Sequence, residues 1–221
     1  MEHEPIELRA SPDTVLALTG AITRYRVEQA PGFGDDVSAV WLDAGQLYLV
    51  TADIVGLAFK FEVFTLMVQT PAEAFAAAEA NRPAMEQAWA EMRAAGAPIP
   101  IFPPPAELRP AGPLEEWPFQ SWRLDILRRK EFIIDPEHLP DDPAARERYF
   151  ENLGPGQAPE HSEHTCTAAI GLLFTSDDGR RLLIVSDGMP GFMRVASEED
   201  VTQAYLRTCE VVPAPEYARS L

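Results

Sequence analysis

Three kinds of residue that carry recognisable chemistry are scarce in this chain. It has 2 cysteines and 4 histidines in 221 residues, and its 18 lysines and arginines face 35 acids. With only Cys166 and Cys209 and no CxxC pair, a disulfide framework is excluded, and a reduced, cytoplasmic protein is expected. A net charge of -17 repels a phosphate backbone, so conventional nucleic-acid binding is not expected. Long apolar runs are missing as well. The longest, residues 57–68, is broken by Lys60 and Glu62, so no membrane-spanning helix is expected. The opening Met1-Glu2-His3-Glu4-Pro5 is acidic, unlike the basic and then apolar form of a secretory leader. Gly32-Phe33-Gly34 has neither the further glycine of a dinucleotide loop nor the Gly-Lys-Ser/Thr of a P-loop, and no cofactor is expected.

What remains is ordinary globular material, 46% hydrophobic, enough for a sizeable core. The clearest grammar lies between His164 and Cys209. Residues 165–175 are an apolar, strand-like run, Ser176-Asp177-Asp178-Gly179 is a turn, residues 181–186 return, and 192–195 make a third short strand. Asp178-Gly179 between apolar runs predicts a tight hairpin turn with positive φ. Ser197 is placed to cap a helix over 197–208, with Glu198, Glu199 and Asp200 against its positive end and Val201, Ala204, Tyr205 and Thr208 on one face.

Upstream, Ser11-Pro12-Asp13 starts a short helix with Val15 and Leu18 inward. Residues 21–28 form a strand, and 37–42 with 46–51 form a hairpin across Asp43-Ala44-Gly45. A long strand over 57–69 changes apolar phase after Val63, which predicts a bulge or burial on both faces. Thr70-Pro71-Ala72-Glu73 is a capping box for a helix that should break or kink at Pro83. Its second half carries Met85, Ala88, Trp89 and Met92 on one face. Prolines crowd residues 98–118, and Ile99, Ile101, Phe102, Leu114 and Trp117 make that stretch a strap over the surface rather than a free linker. Residues 119–134 lean to strand on their β-branched and aromatic content. Asp142-Pro143 starts a helix to about 153, with Ala145, Tyr149, Phe150 and Leu153 inward.

The expected fold is therefore α+β: antiparallel sheet units over 37–69 and 165–195, covered by helices near 71–95, 142–153 and 197–208. One compact domain over 1–221 is preferred to two, 1–97 and 119–221, joined by the proline-rich 98–118. Asp43-x-Gly45 with Asp53 repeats as Asp177-x-Gly179 with Asp187, and Leu49-Val50 falls on Leu183-Ile184. That spacing raises an internal duplication, although hairpins in general use the same turn grammar.

Candidate sites follow from side-chain chemistry. His161, Glu163, His164 and Cys166 are the one compact set of metal-ligand types, and all suit zinc, but the HxxHxC spacing matches no standard zinc pattern. Cys166 also shares a parity with Ala168, Ile170 and Leu172, which suits a small core residue, so no resident metal is expected. A Cys166 nucleophile with His161 or His164 as base would need an orienting group and an oxyanion site besides. Asp35-Asp36, Asp53, Asp177-Asp178 and Asp187 could serve acid/base work, although turn formation explains them all. Arg123, Arg128, Arg129 and Lys130 form the one basic cluster, able to grip an anionic group or to pair with neighbouring acids. Trp117, Phe119 and Trp122 beside it read as core or strap anchors. The function these features favour is non-enzymatic: an acidic module of the immunity-protein or adaptor kind that binds another protein, one with a basic surface on the sharper reading. A small enzyme, metal-dependent or not, built on the histidine–cysteine segment or the aspartates, is the alternative.

Overall fold

The computed structural model describes residues 6–30, 35–55, 63–94, 108–134, 142, 145, 162–186 and 193–221. Within them the chain is mixed α+β, with a curled antiparallel sheet of ten strands and four helices. No helix among the described residues is long and apolar enough to cross a membrane.

The first helix, α1 (Pro12–Ala17), begins as its sequence demands. Ser11 Oγ accepts the Thr14 amide at 3.0 Å, proline opens the first turn, and Val15 and Leu18 are buried. The strands β1 (Arg24–Gln29), β2 (Val37–Asp43), β3 (Leu47–Val55) and β4 (Val63–Gln69) then run as a meander. From Val63 to Gln69, β4 pairs with β3 with no shift of register, so its change of apolar phase is met by burial on both faces. Leu66 and Val68 enter the core, while the hydroxyl of fully buried Thr65 donates to the Ala169 carbonyl at 2.6 Å. The earlier part of that expected strand, residues 57–62, lies outside the described residues.

The helix α2 (Pro71–Ala94) runs through Pro83 as one 24-residue element, not two segments. Its capping box forms as expected, with the Glu73 amide on Thr70 Oγ1 at 3.2 Å and the Thr70 amide on Glu73 at 2.7 Å. The Thr70 amide, and then the Thr70 hydroxyl at 2.9 Å, donate to the Glu73 carboxylate and hold it below the ordinary glutamate range. Ala74, in the first turn, packs on Trp41 and Leu49 of the sheet. The side chains of Met85, Ala88, Trp89 and Met92 lie outside the described residues.

The proline-rich stretch enters the described chain at Leu108 and behaves there as a strap. Leu108 and Leu114 pack beside Trp41, and β5 (Glu115–Glu116) pairs with Arg24 and Tyr25 of β1. Trp117 then meets Tyr25, Phe119, Trp122 and Phe174 edge-on at 5.0–5.7 Å. Each such pair adds about 0.5–1.5 kcal/mol beyond its burial, which is why this end of the strap holds. Residues 95–107, with Ile99, Ile101 and Phe102, lie outside the described residues.

The second meander is built on β6 (Trp122–Ile134), β7 (Ser162–Ser176), β8 (Arg181–Ser186) and β9 (Met193–Ala196). Two bulges punctuate β7. Leu127 and Arg128 oppose Gly171 and Ala169, leaving Ile170 as an extra residue, and Ile133 and Ile134 oppose His164 and Ser162, leaving Glu163 extra. The first bulge flips the side-chain phase. Ala168 and Ile170 join a cluster with Leu127 and Leu183, whereas Leu172 and Phe174 face the main core. The parity that groups Cys166 with Leu172 therefore fails, because strand alternation does not survive an inserted residue.

Helix α3 (Glu199–Leu206) starts one position later than the Ser197 cap implies, with Glu198 at the cap position. Its inner face is Thr202, Tyr205 and Leu206, while Ala204 and Thr208 are exposed. The buried Thr202 hydroxyl donates back to the Glu198 carbonyl at 3.0 Å, which lets a polar residue sit inside. The chain ends with β10 (Cys209–Pro213), on the free side of β6, and α4 (Ala214–Ser220). Of the helix expected over 142–153, only Asp142 and Ala145 are described, joined by an N-cap-type bond of 2.9 Å.

The two meanders share one sheet. Val37 of β2 pairs with Met193 of β9, so β2 carries β9 along one part of its edge and β3 along the next. The other junction is made by residues 6–9. The Ile6 amide bonds the Thr167 carbonyl of β7 and the Arg9 amide bonds the Leu66 carbonyl of β4, each answered by a return bond from Ala169 and Val68. The strands β7-β8-β9-β2-β3-β4 and this segment thus complete a circuit of backbone hydrogen bonds around the main core. Tyr217 of α4, fully buried, plugs it and receives the Leu8 amide at 2.6 Å.

Candidate functional site

Strand β6 carries the basic cluster, and the structure divides it. Arg128 reaches Glu7 at 2.8 Å, with its guanidinium carbon 6.0 Å from the Tyr217 ring centre. This joins the N-terminal segment, β6 and α4, a structural task. Burial, and then the nearby Glu7 carboxylate, push the Tyr217 hydroxyl far above the ordinary phenol range. Arg129 opposes Cys209 and Lys130 opposes Thr167, and both side chains have partners of their own.

Arg123 stands elsewhere. Alternation along β6 sends Leu124 and Ile126 to the main core and Leu127 to the opposite cluster, so Asp125 shares the face of Arg123 and Leu127. Asp125 is 4% exposed, and its Oδ2 accepts Arg123 Nε at 3.0 Å, while the Arg123 side chain is 71% exposed. These two residues lie in a cleft of about 570 Å³ walled by Thr19, Trp122, Leu124, Val211, Pro213 and Pro215. Pro213 opposes Asp125 directly in the β10–β6 ladder. Trp122 is pinned by its indole N–H to the Leu18 carbonyl at 3.3 Å.

Of the loop aspartates, Asp178 sits at a second cleft of about 620 Å³, around the β7–β8 turn. Its floor is Tyr25, Phe119 and Leu182, and its rim is Asp178, Arg180, Arg181, Ser197 and Glu199. Arg180 lies 5.4 Å above the Phe119 ring and pairs with Asp178 at 2.8 Å, and Arg181 pairs with Glu199 at 2.8 Å. The Ser176 hydroxyl, the Arg180 amide and the Arg180 guanidinium all donate to Asp178, holding its carboxyl below the ordinary aspartate range. Ser121 donates to Asp177. Both carboxylates are thus engaged as turn acceptors, where an acid/base role would need one presented to a substrate. Burial, with Glu115 second, raises the Tyr25 hydroxyl above its usual value.

A third recess, of about 600 Å³, is lined by Val27, Asp35, Arg194 and Glu198 among others. The exposed trio Glu198, Glu199 and Asp200 consequently stands between two recesses, Glu199 on one and Glu198 on the other.

His161 lies outside the described residues, as does Asp187. Of Glu163, His164, Cys166 and Asp53 only the backbone is described, with Glu163 the bulged residue of β7. No cluster of three metal-ligand side chains occurs among the described residues. Register separates the two cysteines. Cys209 opposes Arg129 of β6, and Arg129 opposes Ala168, two residues from Cys166. Two strand spacings come to about 10 Å, beyond the ~7 Å limit for a disulfide.

No known protein family matches this chain. No curated protein and no solved structure matches it either.

The residue that sequence reading passed over is Asp125. Leu124-Asp125-Ile126 reads as ordinary strand alternation with the acid on a solvated face, so its burial carried no signal in the sequence.

Proposed function

We propose that this chain is a non-catalytic protein-binding module whose partner presents a basic surface. The observation that carries the reading is the net charge of -17, together with the exposed Glu198, Glu199 and Asp200 at the junction of two recesses. A field of that sign steers a basic protein toward the surface and disfavours polyanions. The arginines at the second cleft do not oppose this, since each is neutralised by a carboxylate on the same rim.

The test is capture of the partner from the native host, followed by stopped-flow association of the purified pair at rising salt. Screening acts over about 8 Å at physiological ionic strength, so association should slow steeply with salt while dissociation changes little. Replacing Glu198, Glu199 and Asp200 by their amides should lower the association rate several-fold. A thermal melt of that variant separates lost steering from a weakened helix, since the trio also opens α3. An association rate flat with salt overturns the proposal.

A further inference from the structure

We propose that the cleft over Asp125 receives a lysine side chain of that basic partner, its ammonium bound to the free oxygen of the Asp125 carboxylate. The inference rests on the protein-binding reading above and assigns it a site.

The side chain of Asp125 is 5% exposed, and Asp125 lines an open cleft together with Arg123, Val211 and Pro213, which share its face of the β6–β10 pair. A charge taken out of water needs compensation, and here it is half supplied. Arg123 Nε occupies Oδ2, reaching in from solvent. Among the described residues no donor reaches Oδ1. The neighbours cannot help: Pro213 and Pro215 have no amide hydrogen to give, and Val211 presents hydrocarbon. The one indole N–H nearby, that of Trp122, is spent on the Leu18 carbonyl. The site therefore asks for a cation on a hydrocarbon stem.

Lysine fits better than arginine for a geometric reason. A guanidinium is most effective against both oxygens of a carboxylate at once, and Arg123 already holds one of them. An ammonium is a point donor that needs a single oxygen, and its four-carbon stem covers apolar wall on the way in. Val211, 40% exposed on β10, extends that wall toward solvent.

The probe is Nα-acetyl-lysine methylamide titrated into the ¹⁵N-labelled full chain, against the matching arginine and norleucine compounds. Saturable shifts at the amides of Trp122, Asp125 and Val211 are expected with lysine, at least five-fold weaker binding with arginine, and none with norleucine. In Asp125→Asn, lysine should fall to the norleucine level. Arg123→Gln releases Oδ2 and removes a competing cation, so lysine should bind several-fold tighter and its advantage over arginine should vanish. Equal binding of lysine and norleucine, shifts confined to residues 198–200, or weaker lysine binding in Arg123→Gln would each overturn the proposal. If Asp125→Asn does not fold by thermal melt, the Arg123→Gln arm decides alone. A captured basic partner whose affinity is unchanged in both variants removes lysine from this cleft and leaves the protein-binding reading standing. Specific lysine binding with no salt-steered partner does the reverse.

Discussion

The hairpins β2–β3 and β7–β8 agree in where their side chains go and differ in how their turns close. Val50 and Ile184 both enter the main core, while Leu49 and Leu183 both leave it for separate clusters on the outside. Gly45 has a φ of 85° and Gly179 one of 87°. The first turn closes across its glycine, with the Ala44 amide on the Gln46 carbonyl at 2.9 Å. The second is wider: the Gly179 amide bonds the Ser176 carbonyl and the Ser176 amide bonds the Arg180 carbonyl, each at 2.9 Å. It is a three-residue loop with its glycine in the left-handed region, where the tight two-residue turn needs positive φ at both central positions. Alternation and glycine are local properties and recur together, whereas register depends on what the flanking side chains bond to. In the second hairpin those are Ser176 and Asp178, which have no equivalents in the first.

The comparison can be broken in the core. Ile184→Ala should cost about 3 kcal/mol, as a fully buried side chain is replaced by a cavity. Val50→Ala, at the matching position, removes one methylene fewer and should cost less by about 1 kcal/mol. Urea denaturation of the two variants measures both. A larger loss at Val50 would show the first meander to be the more tightly packed.

At the glycines the two hairpins should agree. A Cβ at Gly45 or Gly179 would meet nothing within 4 Å, so a substitution there is strained by φ alone. Gly179→Val and Gly45→Val should each destabilise by about 1 kcal/mol or more, because a β-branched residue resists positive φ. Wild-type melting of the Gly179 variant would show that its turn has another conformation. Unequal losses would place part of the cost outside the backbone.

Local rules made the hairpins, the α1 cap, the Thr70 capping box, the strand over 122–134 and the anchoring of Trp117 legible in advance. Each depends on residues near one another in sequence. The bulges at Glu163 and Ile170 were not legible, because an extra residue in β7 is defined only against its partner β6. The phase error at Leu172 follows from that. Nor was the closing role of residues 6–9, whose bonds go to β4 and β7, both far along the chain. The cleft at Asp125 escaped for the same reason: its walls come from the end of α1, β6, β10 and the start of α4. The four basic residues 123–130 looked like one patch because they are close in sequence, yet Arg123 and Arg128 serve different neighbours.

The smallest effect sharpens the contrast between the turns. In the second hairpin one exposed carboxylate, Asp178, accepts the Ser176 hydroxyl, the Arg180 amide and the Arg180 guanidinium, and its pKa is lowered by them in that order. A carboxyl whose folded pKa lies below its unfolded value stabilises the folded form above the ordinary aspartate range, and the contribution is lost as pH falls through the lowered value. Acidification should therefore loosen this turn first. The Arg180 amide should lose exchange protection, after correction for intrinsic rate, as the carboxyl is protonated, while the Ala44 amide, bonded to a backbone carbonyl, should not respond over the same range. Asp178→Asn keeps the shape and removes the titration, so Arg180 should then follow Ala44 at every pH. Protection at Arg180 that still falls with acid in that variant would assign the pH response to another group and leave the two turns distinguished by register alone.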